Sequence, residues 1–160
     1  MKRLLMVLVV LVVAAGAFAT STFNITAQLT SSISISCAGT WAAGSQAAGG
    51  NATMLAADAI QVYNTSTVGV TLNAAVTDPA NWTAAGSKGA NNYVLTVASA
   101  ASAASAVTGL GSGVKLTTSA QGIGAIGLAD GYVAAKLDYP TSSTTAASQT
   151  ITVTLTAGAQ

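Results

Sequence analysis

The stretch that decides the fold is FNITAQLTSSISISC, residues 23–37. Its odd positions are apolar or small, apart from a serine at position 31, and its even positions are all polar. Side chains of a β-strand point alternately to opposite faces, so the pattern predicts a strand with one buried and one solvent-facing side. Such a stretch would span about 50 Å, whereas strands in globular domains mostly run about 3–10 residues. Either the strand bends between two sheets of its own domain, or its leading part completes a neighbouring molecule.

The residues before this strand have the parts of a secretory signal peptide. Lys2 and Arg3 form a basic start, residues 4–15 are apolar, and Ala17 and Ala19 give the small-residue pattern at which signal peptidase cuts. We expect cleavage after Ala19, so that residues 1–19 are removed and no membrane span remains. One alternative is a retained membrane anchor, but the apolar stretch is short beside the roughly 20 residues of a bilayer span. A type IV pilin leader is the other alternative; it normally has an acidic residue near the new N-terminus, and the first here is Asp58.

The mature chain carries very little charge. Three lysines and four aspartates remain, which gives a net charge of −1, and the sequence has no histidine and no glutamate. Without clustered lysine or arginine a phosphate backbone cannot be held, so nucleic acid is excluded as a partner. A net charge near zero promotes association. The composition therefore indicates a protein that packs with copies of itself. Together with the signal peptide, we expect it to be secreted and extracellular, at the cell surface.

The reactive side chains do not form a pattern typical of an enzyme. A Ser-His-Asp or Cys-His pair needs a histidine, no motif frames a Ser-Lys pair, and the aspartates do not follow a calcium-loop spacing. We expect no catalytic activity, no cofactor and no metal site within one chain. A calcium ion shared between two chains stays open, because its ligands would come from both.

The rest of the chain repeats the period of two. Including the N-terminal stretch, the alternation predicts about seven strands separated by Gly-, Asn- and Pro-rich turns, with residues 122–131 counted as turn material. Residues 98–106, an Ala-Ser-Ala repeat, could form a short helix, but the serines and the absence of large apolar residues favour a mobile loop or a thin edge strand. Short alternating strands with frequent turns are typical of an all-β fold. We predict a single immunoglobulin-like β-sandwich, of jelly-roll or Greek-key type, over residues 31–160.

Cys37 is the one cysteine of the sequence, so a single chain cannot form a disulfide. It falls on the apolar face of the N-terminal strand. We predict a small buried side chain there, with an intermolecular bridge as the alternative.

Two further features concern sugars. Four of the seven asparagines of the mature chain stand in N-x-[Ser/Thr] sequons and are possible N-glycosylation sites: Asn24, Asn51, Asn64 and Asn81. Attached glycans would supply the hydration that the missing charges do not. Binding of surface glycans by aromatic side chains is also open; it would need two or three of these exposed together: Trp41, Tyr63, Trp82, Tyr93, Tyr132 and Tyr139.

Taken together, these features resemble the secreted β-sandwich subunits that build extracellular filaments by donor-strand complementation. Examples are archaeal surface threads and bundling pili, and bacterial biofilm-matrix fibres of the TasA/camelysin type. The features that carry the resemblance are the signal peptide, the alternating strand over residues 22–36, the low charge, the sequons and the Thr-rich final strand over residues 150–157. They are features of architecture, and no diagnostic sequence motif is among them.

The resemblance implies that the N-terminal strand of each subunit fills a groove in the next subunit. A strand with an apolar side chain at every second residue can pair with an open sheet edge and cover an apolar groove at once. We expect residues 20–30 to be the donor segment, Ser31 the polar break, and Ile33 to Cys37 part of the home domain. The assembly residues would be Phe23, Ile25, Ala27 and Leu29. The alternative is a surface-layer, coat or adhesin protein with a self-contained fold.

Overall fold

The computed structural model of the protein describes residues 32–160, which include the trailing part of the stretch quoted above. Strand β1, Ile35–Cys37, pairs antiparallel with β3, Ile60–Asn64. The pairing continues upstream, since the backbone N–H groups of Thr65 and Thr67 donate to the carbonyls of Ser34 and Ser32, each at 3.1 Å. The expected signal peptide and the donor segment lie outside the described residues.

The described part of the chain contains ten strands, one α-helix and two 3₁₀ turns. The turns are Ala56–Asp58 and Leu110–Ser112, and the helix, α1, is Ala103–Gly109. The other strands are β2 (Asn51–Thr53), β4 (Val70–Thr77), β5 (Thr83–Ala84), β6 (Asn92–Ala100), β7 (Val114–Lys115), β8 (Gln121–Ile126), β9 (Gly131–Asp138) and β10 (Thr152–Ala159). The prediction of an all-β fold is confirmed.

The strands form two sheets. The first has the order β1-β3-β9-β6-β5, with β2 also paired to β9 and β7 to β6. The second has three strands in the order β10-β4-β8. Of the pairings between described strands, that of β5 with β6 is parallel and the others are antiparallel.

One apolar core serves both sheets. Alternate residues of β4 point into it from the second sheet, including Leu72, which is 1 % exposed. The first sheet contributes β6 and β9, whose register places Leu95 opposite Leu137 and Val97 opposite Ala135 on one face. On that face the Ser99 hydroxyl donates to the carbonyl of Ile123 in β8, at 3.0 Å. The apolar alternation of the sequence thus corresponds to burial between these strands.

The region of residues 98–106 is neither a mobile loop nor an edge strand. Strand β6 continues to Ala100, and α1 follows after the N-cap Ser102, whose hydroxyl oxygen accepts from the Ser105 N–H at 3.2 Å. The small side chains allow the helix to lie close to the sheet: Ala106 is fully buried, and a Cβ at Gly109 would stand 3.2 Å from the Cβ of Ala98. Ala98 lies on the opposite face of β6 from Val97, so α1 covers the outer face of the first sheet.

The assignment of residues 122–131 to turns is wrong over residues 122–126, which belong to β8, while residues 127–130 do form the β8–β9 connection. Gly122 and Gly124 within β8, and Gly127 just after it, interrupt the apolar alternation in the sequence. The side chains of Ile123 and Ile126 in this strand are nevertheless buried. Gly124 has φ 129°, which L-residues rarely adopt, and the register with β4 shifts between Leu72 and Asn73. Such a bulge explains why a glycine-rich segment still forms a strand. β2 and β5, of three and two residues, were too short to show a period.

The prediction of a buried Cys37 is wrong as well, since its side chain is exposed. The β1–β3 register puts Cys37 opposite Val62, so it is on the core-facing side of the strand. β1 is the last strand of its sheet, however, and no described strand lies beyond it to complete the cover. The pattern gave the face correctly, but burial also depends on the position of the strand in the sheet.

Leu72 tests whether the shared core sets the stability of the domain. Leu72→Ala should lower the free energy of unfolding by about 2–5 kcal/mol, because it leaves a cavity at a closed position. Leu128→Ala is the matched control: Leu128 is 67 % exposed, so its loss should change stability by no more than about 0.5 kcal/mol. Urea denaturation followed by tryptophan fluorescence measures both. Equal losses for the two variants would contradict the described packing.

Candidate assembly edge and glycan acceptor sites

Strand β10 forms one edge of the three-stranded sheet. It pairs with β4 along its whole length, from Thr152 opposite Thr77 to Ala159 opposite Val70, without a shift of register. On its other side no strand is paired among residues 32–160. Its eight residues include no charged side chain and no proline. Natural edge strands are usually protected by charges, prolines or bulges, and β10 has none of these.

The two faces of β10 differ in character. Thr152, Thr154 and Thr156 are exposed on the outer face. The core-facing row is apolar, and its register places Val153 opposite Val76 and Leu155 opposite Ala74.

The apolar row of β10 is only partly covered. Val76 and Ala74 in the central strand are 4 % and 1 % exposed, but Val153 is 38 % exposed and Leu155 is half-buried. Solvent therefore reaches apolar side chains along the edge of the core.

Strand β1, at the end of the first sheet, also has core-facing side chains that are incompletely buried. Ile35 and Cys37 share the face of Val62, which is completely buried, yet Ile35 is half-buried and Cys37 is exposed. Ile33, just upstream, is 42 % exposed. The terminal strands β1 and β10 thus both carry core-facing residues that the described part of the domain leaves partly open to solvent.

The other end of the three-stranded sheet is closed. Ile123 and Ile126 of β8 are 6 % and 3 % exposed, and β8 is hydrogen-bonded to β6 through Ser99. Close by, the Val76 N–H donates to the carbonyl of Thr117 at 3.1 Å, which ties β4 to the segment that follows β7. The core-facing side chains of β8 are therefore covered and one of its carbonyls is bonded, in contrast to β10.

The residues expected to form the donor strand, Phe23, Ile25, Ala27 and Leu29, lie outside the described residues, as does the sequon residue Asn24. What the described residues add is the edge that such a strand would need. The sequence showed the Thr-rich final strand and its apolar alternation. It could not show that this strand ends a sheet, because pairing partners are set by the whole topology.

Two sequon asparagines are available for a glycan. Asn51 begins β2 and is exposed. Asn81 lies in the connection between β4 and β5 and is exposed too. A sugar on either side-chain amide would extend into solvent without moving the core.

Asn64 has a structural role instead. It is 9 % exposed, and its Nδ2 donates to the carbonyls of Val68, at 3.2 Å, and Gly127, at 2.6 Å. Its Oδ1 accepts from the Ser66 N–H at 2.9 Å, so the side chain holds the β3–β4 turn to the β8–β9 connection. A glycan replaces one of the two Nδ2 hydrogens that make these bonds. Folding around a glycosylated Asn64 would therefore break this arrangement.

The aromatic residues do not present an exposed platform at their main cluster. Trp82 lies 6.4 Å from Tyr93 and 5.8 Å from Tyr139 between ring centroids, and both tyrosines are buried. The Tyr93 hydroxyl donates to Oδ1 of Asp78 at 2.8 Å, and the Tyr139 hydroxyl to the carbonyl of Gly44 at 2.7 Å. Asp78 also accepts from the Ala84 N–H. The cluster thus fixes loops to the core.

Burial raises the pKa of the Tyr93 phenol, and the hydrogen bond and charge of Asp78 raise that pKa further. Burial also raises the pKa of Tyr139.

The remaining chemistry of the described part is sparse. Lys136 and Asp138 form an ion pair at 3.3 Å on partly exposed side chains, an arrangement that contributes about 0–1 kcal/mol. Residues 32–160 contain no cluster of three or more potential metal-ligating His, Cys, Asp or Glu side chains. Within the same residues, no helix has the length and apolar character to cross a bilayer.

Comparison with protein-family models, with curated proteins and with solved structures finds no match to this chain.

Asn64→Ala should lower the free energy of unfolding by about 1–3 kcal/mol, because it leaves the carbonyls of Val68 and Gly127 without their donor. Asn51→Ala removes a sequon in the same way at an exposed position and should change stability by about 0.5 kcal/mol or less. Chemical denaturation of both variants gives the comparison.

The structural role of Asn64 also predicts which sequons carry sugar. Glycopeptide mapping by mass spectrometry of protein from a glycosylating host should find sugar at Asn51 or Asn81 and none at Asn64. A fully glycosylated Asn64 in folded protein would contradict the structural role.

The buried phenols predict a loss of stability in alkali. A raised pKa means that the folded protein keeps the proton to higher pH than the unfolded chain, whose tyrosines titrate near the ordinary value of 10.0. This stabilisation is complete below that value and is lost as the pH rises through the folded-state pKa. The free energy of unfolding, measured by urea titration between about pH 8 and 11.5, should therefore fall above about pH 10. Tyr93→Phe should make the fall shallower; an unchanged slope would contradict the assignment.

Proposed function

We propose that this protein is a secreted structural subunit of an extracellular filament, in which the N-terminal strand of one subunit completes the β-sandwich of the next. The two sheets would be the faces of this sandwich, of the immunoglobulin-like class expected from the sequence. The observation that carries the proposal is the unprotected, partly uncovered edge at β10. The sequence of the same chain has an unusually long stretch of alternating apolar and polar residues after the expected signal peptide.

The two features are complementary in chemistry. An open edge needs backbone partners and an apolar cover, and an alternating strand supplies both in one element. Burial of Phe23, Ile25 and Leu29 would contribute about 1.5–3 kcal/mol each. The contribution per joint would be several kcal/mol before the backbone hydrogen bonds are counted.

The surface composition supports repeated packing. The described residues carry three lysines and four aspartates, and two of these charges, Lys136 and Asp138, are paired with each other. Such a surface offers little repulsion between copies. Glycans at Asn51 and Asn81 would hydrate the outside of a fibre.

A coat, surface-layer or adhesin protein with a self-contained fold is the second candidate. It is favoured by the core, whose buried apolar residues, within the described residues 32–160, come from positions 54–139. In that case the N-terminal strand would belong to its own domain or serve as a tether. Sheets, or folded monomers that bind glycans, would then replace fibres.

Substitutions on the two faces of the N-terminal strand separate these functions. In the mature chain, Ile25→Asp should raise the protein concentration needed for fibre formation by about 10–100-fold, because it puts a charge into the interface and loses about 1.5–3 kcal/mol of burial. Thr26→Asp, one residue along on the polar face, should assemble nearly as the unaltered chain does. Negative-stain microscopy and sedimentation measure both. Monomers of the unaltered mature chain at all concentrations would contradict the filament.

Removal of residues 20–29 gives a second test. The shortened chain should be an aggregation-prone monomer that a synthetic peptide of residues 20–29 rescues when it is added separately. A scrambled peptide of the same composition is the control. In a self-contained fold the shortened chain should lose stability, and neither peptide should restore it.

A further inference from the structure

We infer that the acceptor for the N-terminal strand is the free edge of β10, so that residues 23–29 of a second copy of this chain become the fourth strand of the three-stranded sheet. The inference rests on the proposed function and names the partner surface within it. The strand would lie beside Thr152–Ala159 and cover the row that contains Val153 and Leu155.

The other sheet edges are less suitable. β8 has a register shift, a glycine at φ 129° and a carbonyl already bonded to Ser99, and its core-facing isoleucines are buried. β1 and β5 are three and two residues long. β10 offers eight residues in unbroken register, with apolar side chains still partly exposed. β1 shares the open backbone groups and the partly exposed apolar side chains, but of the described edges β10 is the one that offers both over eight paired residues.

The donor and the edge also agree in length and period. Residues 23–29 place four apolar side chains over about 20 Å, and positions 153, 155, 157 and 159 provide four places with the same spacing in β10. The polar face of the donor, Asn24, Thr26 and Gln28, would continue the exposed row of Thr152, Thr154 and Thr156. Uncharged polar side chains on neighbouring strands pair favourably.

The position of β1 favours a second copy over the same chain. The residues just before β1 are already paired with the β3–β4 turn, where the Thr67 N–H donates to the carbonyl of Ser32. Residues 20–36 contain no glycine and no proline, the residues that most often reverse a chain sharply. The segment is thus better suited to reach a neighbour than to turn back beside β10 of its own domain.

Disulfide mapping in the full mature chain tests the inference. In a Cys37→Ala background, Thr26→Cys is combined in turn with Thr152→Cys, Thr154→Cys or Thr156→Cys. Facing residues on adjacent strands have Cβ atoms about 4.5–5.5 Å apart, so one combination should give a covalent ladder of multimers on non-reducing gels. Two matched controls combine Thr26→Cys with Ala125→Cys, on the outer face of β8, or with Ser36→Cys, on β1, and should give no ladder.

The outcomes separate the acceptor edge from the filament itself. Fibres that cross-link through Ala125→Cys or Ser36→Cys, and through none of the β10 positions, would overturn the β10 edge and leave the filament standing. A fast-migrating monomer with an internal disulfide through β10 would show that the chain completes itself, which overturns the exchange between copies. Absence of fibres from the unaltered mature chain would overturn the proposed function.

A change on β10 alone provides an independent measurement. Val153→Lys places a charge on the apolar row where the side chain is already 38 % exposed, so the domain should stay folded by circular dichroism while the concentration needed for fibres rises at least tenfold. Thr154→Lys, on the outer face, is the matched control and should raise the protein concentration needed for fibre formation less than threefold. Equal effects of the two lysines, or normal assembly of Val153→Lys, would overturn the assignment.

Discussion

The rest of the structure depends on the burial of alternate residues of β4, β6 and β9 in one apolar core. These strands are central in their sheets, and each therefore has its backbone paired on both sides along much of its length. Core-facing side chains become partly exposed in the strands β10 and β1, which end their sheets. At β10 and β1 the same apolar alternation continues, but the neighbours that would complete the burial are not present among the described strands. The terminal strands thus carry apolar side chains that remain partly exposed to solvent.

Because the chain has few charged residues, these partly exposed apolar side chains are not accompanied by the charges that usually protect an edge strand. Edge strands are most simply protected by lysine, by proline or by a bulge. Here the bulge is at β8, whose core-facing isoleucines are already buried, and the exposed residues on the outer face of β10 are threonines. Threonine has high strand propensity, so it strengthens β10 without preventing a further strand from pairing. The residues of β10 thus leave its outer edge available for pairing with a further strand.

The sequence predicted the larger strands well because their alternation is a direct consequence of the strand period. β4, β9 and β10 were located to within about two residues, an ordinary error at element boundaries. β8 was missed because glycines interrupt its apolar period, and α1 because Ala-Ser repeats carry no amphipathic signal. Cys37 was expected to be buried but is exposed, because an alternating pattern identifies the core-facing side of a strand but not whether the strand is central or at the edge of its sheet. The β10 edge could not be predicted for that same reason.

Asn64 shows why a motif has to be read together with its contacts. In the sequence it is one sequon among four, but in the structure its side chain joins the β3–β4 turn to the β8–β9 connection through three hydrogen bonds. That turn is also where the carbonyls of Ser32 and Ser34 are held, at the start of β1. Asn64 therefore helps to hold the turn to which the start of β1 is bonded. A bulky sugar at this position would disturb that turn, whereas Asn51 and Asn81 are exposed and can carry one without that consequence.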